Sequence, residues 1–114
     1  MKKSLALAAL SALANETRLD LLRLLVGAGR DGLCAGRIAR KLGVSASGLS
    51  FHLAALEQAG LIRARRDGRF LRYSVNHARL GELMGYLLND CCGGHPDICG
   101  CLAPDHSAAG TTKT

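Results

Sequence analysis

A mainly α-helical chain with one β-hairpin is the fold class the sequence predicts, and three observations predict it. Apolar residues make up 48% of the chain, Leu and Ala dominate them, and over most of the length they recur at helical spacing. Two short helical runs meet at Gly43-Val44-Ser45, the spacing of a helix-turn-helix. Strand-like runs over 61–66 and 69–75 then bracket Asp67-Gly68, a strong two-residue hairpin signal. A hairpin directly after the second helix is a wing. Residues 1–90 therefore read as a winged helix-turn-helix, and 91–114 as a cysteine-containing tail, disordered beyond about 102.

The elements follow in order. Met1-Lys2-Lys3, a short apolar run and Ala12-Leu13-Ala14 mimic a secretory leader. The run is short for one, and Leu5, Ala8, Ala9, Ala12 and Leu13 lie at helical spacing, so it reads as a retained amphipathic helix. Asn15 suits an N-cap, with Glu16 in the first turn where it meets the helix dipole. Leu19, Leu22, Leu25 and Val26 form the next stripe, alongside Leu21 and Leu24. Gly27-Ala28-Gly29 stops that helix and Asp31-Gly32 turns the chain. Residues 34–42 read as a short helix with Ile38, Ala39 and Leu42 inward, Arg37, Arg40 and Lys41 outward, and Gly43 as its stop. Ser45 or Ser47 caps a helix running to about Ala59, with Leu49, Leu53 and Leu56 as its buried stripe. Residues 77–90 form the last helix, with Leu80, Leu83, Met84, Leu87 and Leu88 on one side.

Placement of charge points to nucleic acid. The formal charge is +6, and Arg63, Arg65, Arg66, Arg69 and Arg72 fall within the hairpin. Guanidinium groups suit phosphate because they form bidentate contacts. With Leu49, Leu53 and Leu56 set against the core at about 100° per residue, the opposite face carries Ser47, Ser50, Phe51 and Ala54. Ala46 stands at the helix start. Small residues let a helix sit deep in a major groove, where a plain solvated face would carry charges. Serines can bond base edges or phosphates, and Phe51 or Ala46 can pack on a thymine methyl. His52 falls near the core border, which suits a structural or phosphate-contact role. Arg66 and Arg69 flank the expected turn and should reach phosphates or the minor groove. The greasy first and last helices are more than one small monomer can cover, which predicts a symmetric homodimer reading an inverted repeat.

Three segments carry a resemblance. Ala14-Asn15-Glu16-Thr17-Arg18-Leu19, residues 50–62, and Arg66-Asp67-Gly68-Arg69 with Tyr73 resemble the ArsR/SmtB family of metal-responsive repressors over about residues 5–90. The resemblance implies a winged-helix homodimer on the promoter of its own operon, released when an inducer binds. It also implies DNA contacts at Ala46, Ser47, Ser50 and Phe51. One branch of that family binds metal through Cys-Val-Cys-Asp before the recognition helix. Here Cys34-Ala35-Gly36-Arg37 lacks the second Cys and the Asp, so Cys34 reads as a small core residue. Another branch uses His and acidic residues along the last helix, a pattern that His77, Glu82 and Asp90 do not reproduce. What remains resembles arsenic-responsive members with an adjacent Cys pair and a third Cys shortly after it.

Those cysteines are Cys91, Cys92 and Cys99, with Cys101 as a rival third ligand. Thiolates select soft ions. Three in a pyramid suit trivalent arsenic or antimony, whose lone pair takes the remaining direction, and Gly93-Gly94 lets one chain supply all three. Zinc is the main competitor, since four sulfurs could close a tetrahedral site and His95 could join. Structural zinc sites usually separate paired cysteines by two to four residues, unlike the spacing here. A redox sensor in which Cys99 or Cys101 resolves an oxidised Cys91 or Cys92 stays open. So does a DNA-packaging protein with a zinc tail. No nucleophile–base set, phosphate loop or paired carboxylate marks an enzyme. No run is long enough to span a membrane. Cysteines kept as thiols fit the cytoplasm, and no cofactor is expected for DNA binding itself.

Overall fold

Capping and apolar spacing set the helices in the computed structural model of this protein, which describes residues 1–90. The expected tail over 91–114, with Cys91, Cys92, Cys99 and Cys101, lies outside the described residues. Helix α1 is Lys3–Leu13 and α2 is Glu16–Ala28. The Asn15 side chain accepts from the Arg18 backbone N–H at 3.1 Å, as its position predicts. A single tight turn, Gly29–Asp31, leads to strand β1, Leu33–Cys34. The helix-turn-helix is α3, Ala35–Leu42, and α4, Ala46–Gln58. Ser45, not Ser47, caps α4, its Oγ accepting from Gly48 N–H at 3.1 Å.

Strands β2, Ile62–Asp67, and β3, Phe70–Val75, form the hairpin, and α5, His77–Gly85, follows it. The sheet order is β1-β3-β2, antiparallel throughout. Asp67 pairs with Phe70, so the two-residue loop is Gly68-Arg69 rather than Asp67-Gly68. Gly68 has φ 65° and no other residue type among the described residues has positive φ. That is the pattern of a type II′ turn with Gly first, the turn whose twist matches a hairpin. Arg69 therefore sits in the turn, and Arg66 lies opposite Leu71.

One cluster fills the core: Leu21, Leu22 and Leu25 of α2, Ile38 of α3, Leu49, Leu53 and Leu56 of α4, Leu61, Ile62, Val75 and Leu83. Each full burial of such a side chain favours folding by roughly 1.5–3 kcal/mol. The α4 stripe matches its spacing. Three expectations need correction. In α1 the buried stripe is Ala6, Ala9 and Ala12, while Leu5 and Ala8 are exposed; small residues let the helix approach α2 and α4 closely. In α2, Leu19 and Val26 share an outward face, and Leu21 takes the core position. The last helix keeps α geometry only to Gly85 and continues as a wider π turn over Tyr86–Asp90, after Gly81 and Gly85 have weakened the α register. Leu83 is buried, but Met84 is exposed.

Candidate nucleic-acid interface

Helix α4 presents the face its spacing predicts. Ala46, Ser47, Ser50, Phe51 and Ala54 are exposed, and Phe51 keeps 65% of its surface open. No acidic residue occupies the first turn of α4. The positive end of the helix dipole thus stands beside small side chains, an arrangement that accepts phosphate or a base edge.

His52 is half-buried at the border of that face, and its ring is held from another element. Arg18 Nε, on α2, donates to His52 Nδ1 at 3.1 Å. The same guanidinium lies 5.4 Å from the centroid of the Phe51 ring. Phe51 and His52 meet edge to face at 5.7 Å and 67°. Because Nδ1 accepts, the neutral ring carries its proton on Nε2. Arg18 had no role in the sequence reading, although it stands in the Asn15–Leu19 segment. Its signal was a cation in the first turn of a helix, where a positive charge is disfavoured unless something else holds it.

The five wing arginines divide by partner. Arg72 Nε donates to Asp67 Oδ2 at 2.8 Å, and Arg72 also reaches the Gly32 carbonyl at 3.4 Å. Arg63 donates to Asn76 Oδ1 at 3.1 Å. Arg65 faces Arg72 directly across the ladder. Two like charges there repel, and Asp67 beside them relieves it: the Arg72 guanidinium, with a smaller contribution from Arg65, holds the Asp67 carboxyl below the usual carboxylate value. Arg66 and Arg69 are exposed and make no hydrogen bond or ion pair among the described residues. These two arginines are the free charges of the wing tip.

Comparison with known proteins decides the family. A helix-turn-helix domain profile matches residues 13–65. The solved structure of an ArsR-like transcriptional regulator from Rhodococcus sp. RHA1 is similar at a TM-score of 0.68 and 30% identity, covering 93% of each chain. The chain belongs to the ArsR family of helix-turn-helix transcriptional regulators. A probable mercury resistance operon repressor of Streptomyces lividans is 35% identical over 98 residues, 86% of this chain and 66% of that one. A putative arsenical resistance operon repressor of Halobacterium salinarum is 44% identical over 66 residues, 58% of this chain and 50% of that one. The chain thus spans between half and about two thirds of these curated relatives. ArsR-family proteins regulate transcription and are not enzymes, as the sequence analysis expects.

In this ArsR-family chain, Cys34 is not the core residue expected. It is half-buried, sits in β1 opposite Arg72, and is the N-cap position of α3. His77 is exposed at the start of α5, and Glu82 pairs with Arg79 at 3.6 Å. Among the described residues no three His, Cys, Asp or Glu side chains group to hold a metal ion. No described helix is long and apolar enough to cross a membrane.

Proposed function

We propose that this ArsR-family chain is a homodimeric repressor that binds an inverted-repeat operator and is released when trivalent arsenic or antimony binds Cys91, Cys92 and Cys99. The observation that carries DNA binding is the pairing of an exposed, acid-free reading face on α4 with free Arg66 and Arg69 on the adjoining wing. Ala46, Ser47, Ser50 and Phe51 would meet bases, while His52, Arg66 and Arg69 would meet phosphate or the minor groove. A homodimer is supported by exposed Leu5, Leu7 and Leu10 on α1 and Met84 on α5, apolar surface that a second copy would cover.

Two observations support the inducer. Relatives named for mercury and arsenical resistance operons are 35% and 44% identical over their matched stretches, and four cysteines stand within residues 91–101. Three thiolates from one chain suit a trivalent metalloid, and the cytoplasm keeps them reduced. Linkage then requires operator and metalloid to weaken each other equally, with a coupling on the order of 1–3 kcal/mol. Among the described residues, Arg79 Nη1 on α5 donates to the Ala59 carbonyl at the end of α4 at 3.3 Å, a direct contact between the last helix and the recognition helix.

Operator release followed by fluorescence anisotropy, with arsenite, antimonite, zinc, cadmium and peroxide in parallel, tests the proposal. Release by arsenite or antimonite, abolished by Cys91→Ser with Cys92→Ser, is the expected result. Release by zinc, cadmium or peroxide alone assigns the tail to metal or redox sensing instead. Arsenite binding with unchanged operator affinity refutes the switch.

A further inference from the structure

We propose that Arg18, a residue outside the recognition helix, is a specificity-positioning residue of the interface: its guanidinium fixes Phe51 and His52 in the one arrangement that reads the operator. The inference rests on the operator-binding reading above.

Arg18 has no carboxylate partner among the described residues. Its Nε–H is spent on the lone pair of His52 Nδ1 at 3.1 Å, and its cationic carbon lies 5.4 Å from the Phe51 ring centroid. Its backbone is fixed as well, because its N–H is the one that Asn15 caps. Two restraints on the side chain, both from α4, and one on the backbone, from Asn15 ahead of α2, make a bracket across the two helices. Arginine suits this better than lysine, since a planar fork can donate in its plane while its face lies over a ring.

The consequence falls on the reading face. Phe51 is 65% exposed, and an exposed phenylalanine on a helix is otherwise free to change rotamer. With the guanidinium 5.4 Å from its centroid and the His52 ring edge to face at 5.7 Å, it is biased to one rotamer, which is what a defined contact with a thymine methyl needs. Holding Nδ1 as acceptor leaves His52 Nε2–H as the donor in the neutral ring. Both residues are thereby set before DNA arrives, so ordering costs little on binding. Arg18 acts through them and differs from Arg66 and Arg69, which have no such restraints among the described residues.

The test separates positioning from a simple phosphate contact. The duplex that the wild-type protein enriches from a randomised pool serves as the specific probe, and mixed-sequence duplex as the competitor. Arg18→Gln and Arg18→Lys are each expected to lower the specific-to-competitor affinity ratio about tenfold, the scale of one lost base contact. The salt dependence of binding should stay unchanged. Adding Phe51→Ala to Arg18→Gln should lose nothing further, because the two act as one unit. Thermal melting confirms that each variant folds, and Arg18→Lys, which keeps the charge, stands if Arg18→Gln does not. Full selectivity in Arg18→Lys, a salt slope reduced by about one per arginine, or additive losses with Phe51→Ala would each overturn the proposal. A wild-type protein that enriches no duplex refutes the operator-binding reading itself, and this inference with it.

Discussion

Removing the two free wing charges should change how binding depends on salt far more than removing the paired ones. Among the described residues Arg66 and Arg69 have no protein partner, whereas Arg72 is held by Asp67 at 2.8 Å. If each free arginine neutralises one phosphate, a dimer makes four such contacts, and each contributes about −0.9 to the slope of log affinity against log salt. Arg66→Ala with Arg69→Ala should therefore flatten the slope by about 3.6. Between 50 and 200 mM salt, the wild-type protein should then lose roughly 100-fold more affinity than the variant. A paired deletion, Asp67→Asn with Arg72→Gln, removes equal and opposite charges and should move the slope by less than about one. Anisotropy titrations at four salt concentrations measure both. A double variant whose slope stays within about one of wild type would show that the wing tip does not meet phosphate, and the partner-based division of the arginines would fail.

Three further outcomes follow from local geometry. Ser45→Ala removes the bond to Gly48 N–H at 3.1 Å and should destabilise the protein by about 1 kcal/mol, a fall in Tm of about 4–8 °C by calorimetry. Gly32→Ala should cost roughly 2 kcal/mol or more, because φ is 71° and the new Cβ would fall on the Tyr73 carbonyl; chemical denaturation reads it. Asp67 titrates below its ordinary value of 3.8 because Arg72 bonds its charged form. The stability it contributes is thus present above that value and lost as pH falls below it through the folded-state value, which a carboxyl carbon NMR titration should show, with Arg72→Gln restoring ordinary titration.

The extent to which this fold was legible depended on whether each constraint was local. Asn15 was readable as a cap, and the α4 cap as Ser45 or Ser47, because a cap bonds a backbone N–H three residues ahead, within one window of sequence. Leu49, Leu53 and Leu56 were readable because α4 alternates apolar and polar faces. Helix α1 has no such contrast: Leu and Ala are both apolar, and only packing against α2 and α4 decides that the alanines go inward. Strand β1 has two residues, too few to show any period, and exists because Leu33 and Cys34 pair with Tyr73 and Arg72 some forty residues on. The loop register shifted by one residue for a related reason. Asp67-Gly68 and Gly68-Arg69 are both acceptable turns locally, and the pairing of Ile62 with Val75 in the core selects the second.

The interface divides along the same line. Which α4 residues are exposed follows from helical periodicity, so the reading face was visible in sequence. Which charges are free to meet DNA does not, because it depends on partners that only the fold supplies. Five arginines within the hairpin look equivalent in sequence, yet the folded sheet sets Asp67 diagonal to Arg72, puts Asn76 within reach of Arg63, and leaves Arg66 and Arg69 without a partner among the described residues. Arg18 is the extreme case. It lies 34 positions from His52, and its neighbours suggest only a solvated helix start. Composition therefore overstates the charge available for DNA and understates the order built into the recognition helix. Affinity and selectivity should accordingly respond to different arginines: Arg66 and Arg69 for the first, Arg18 for the second.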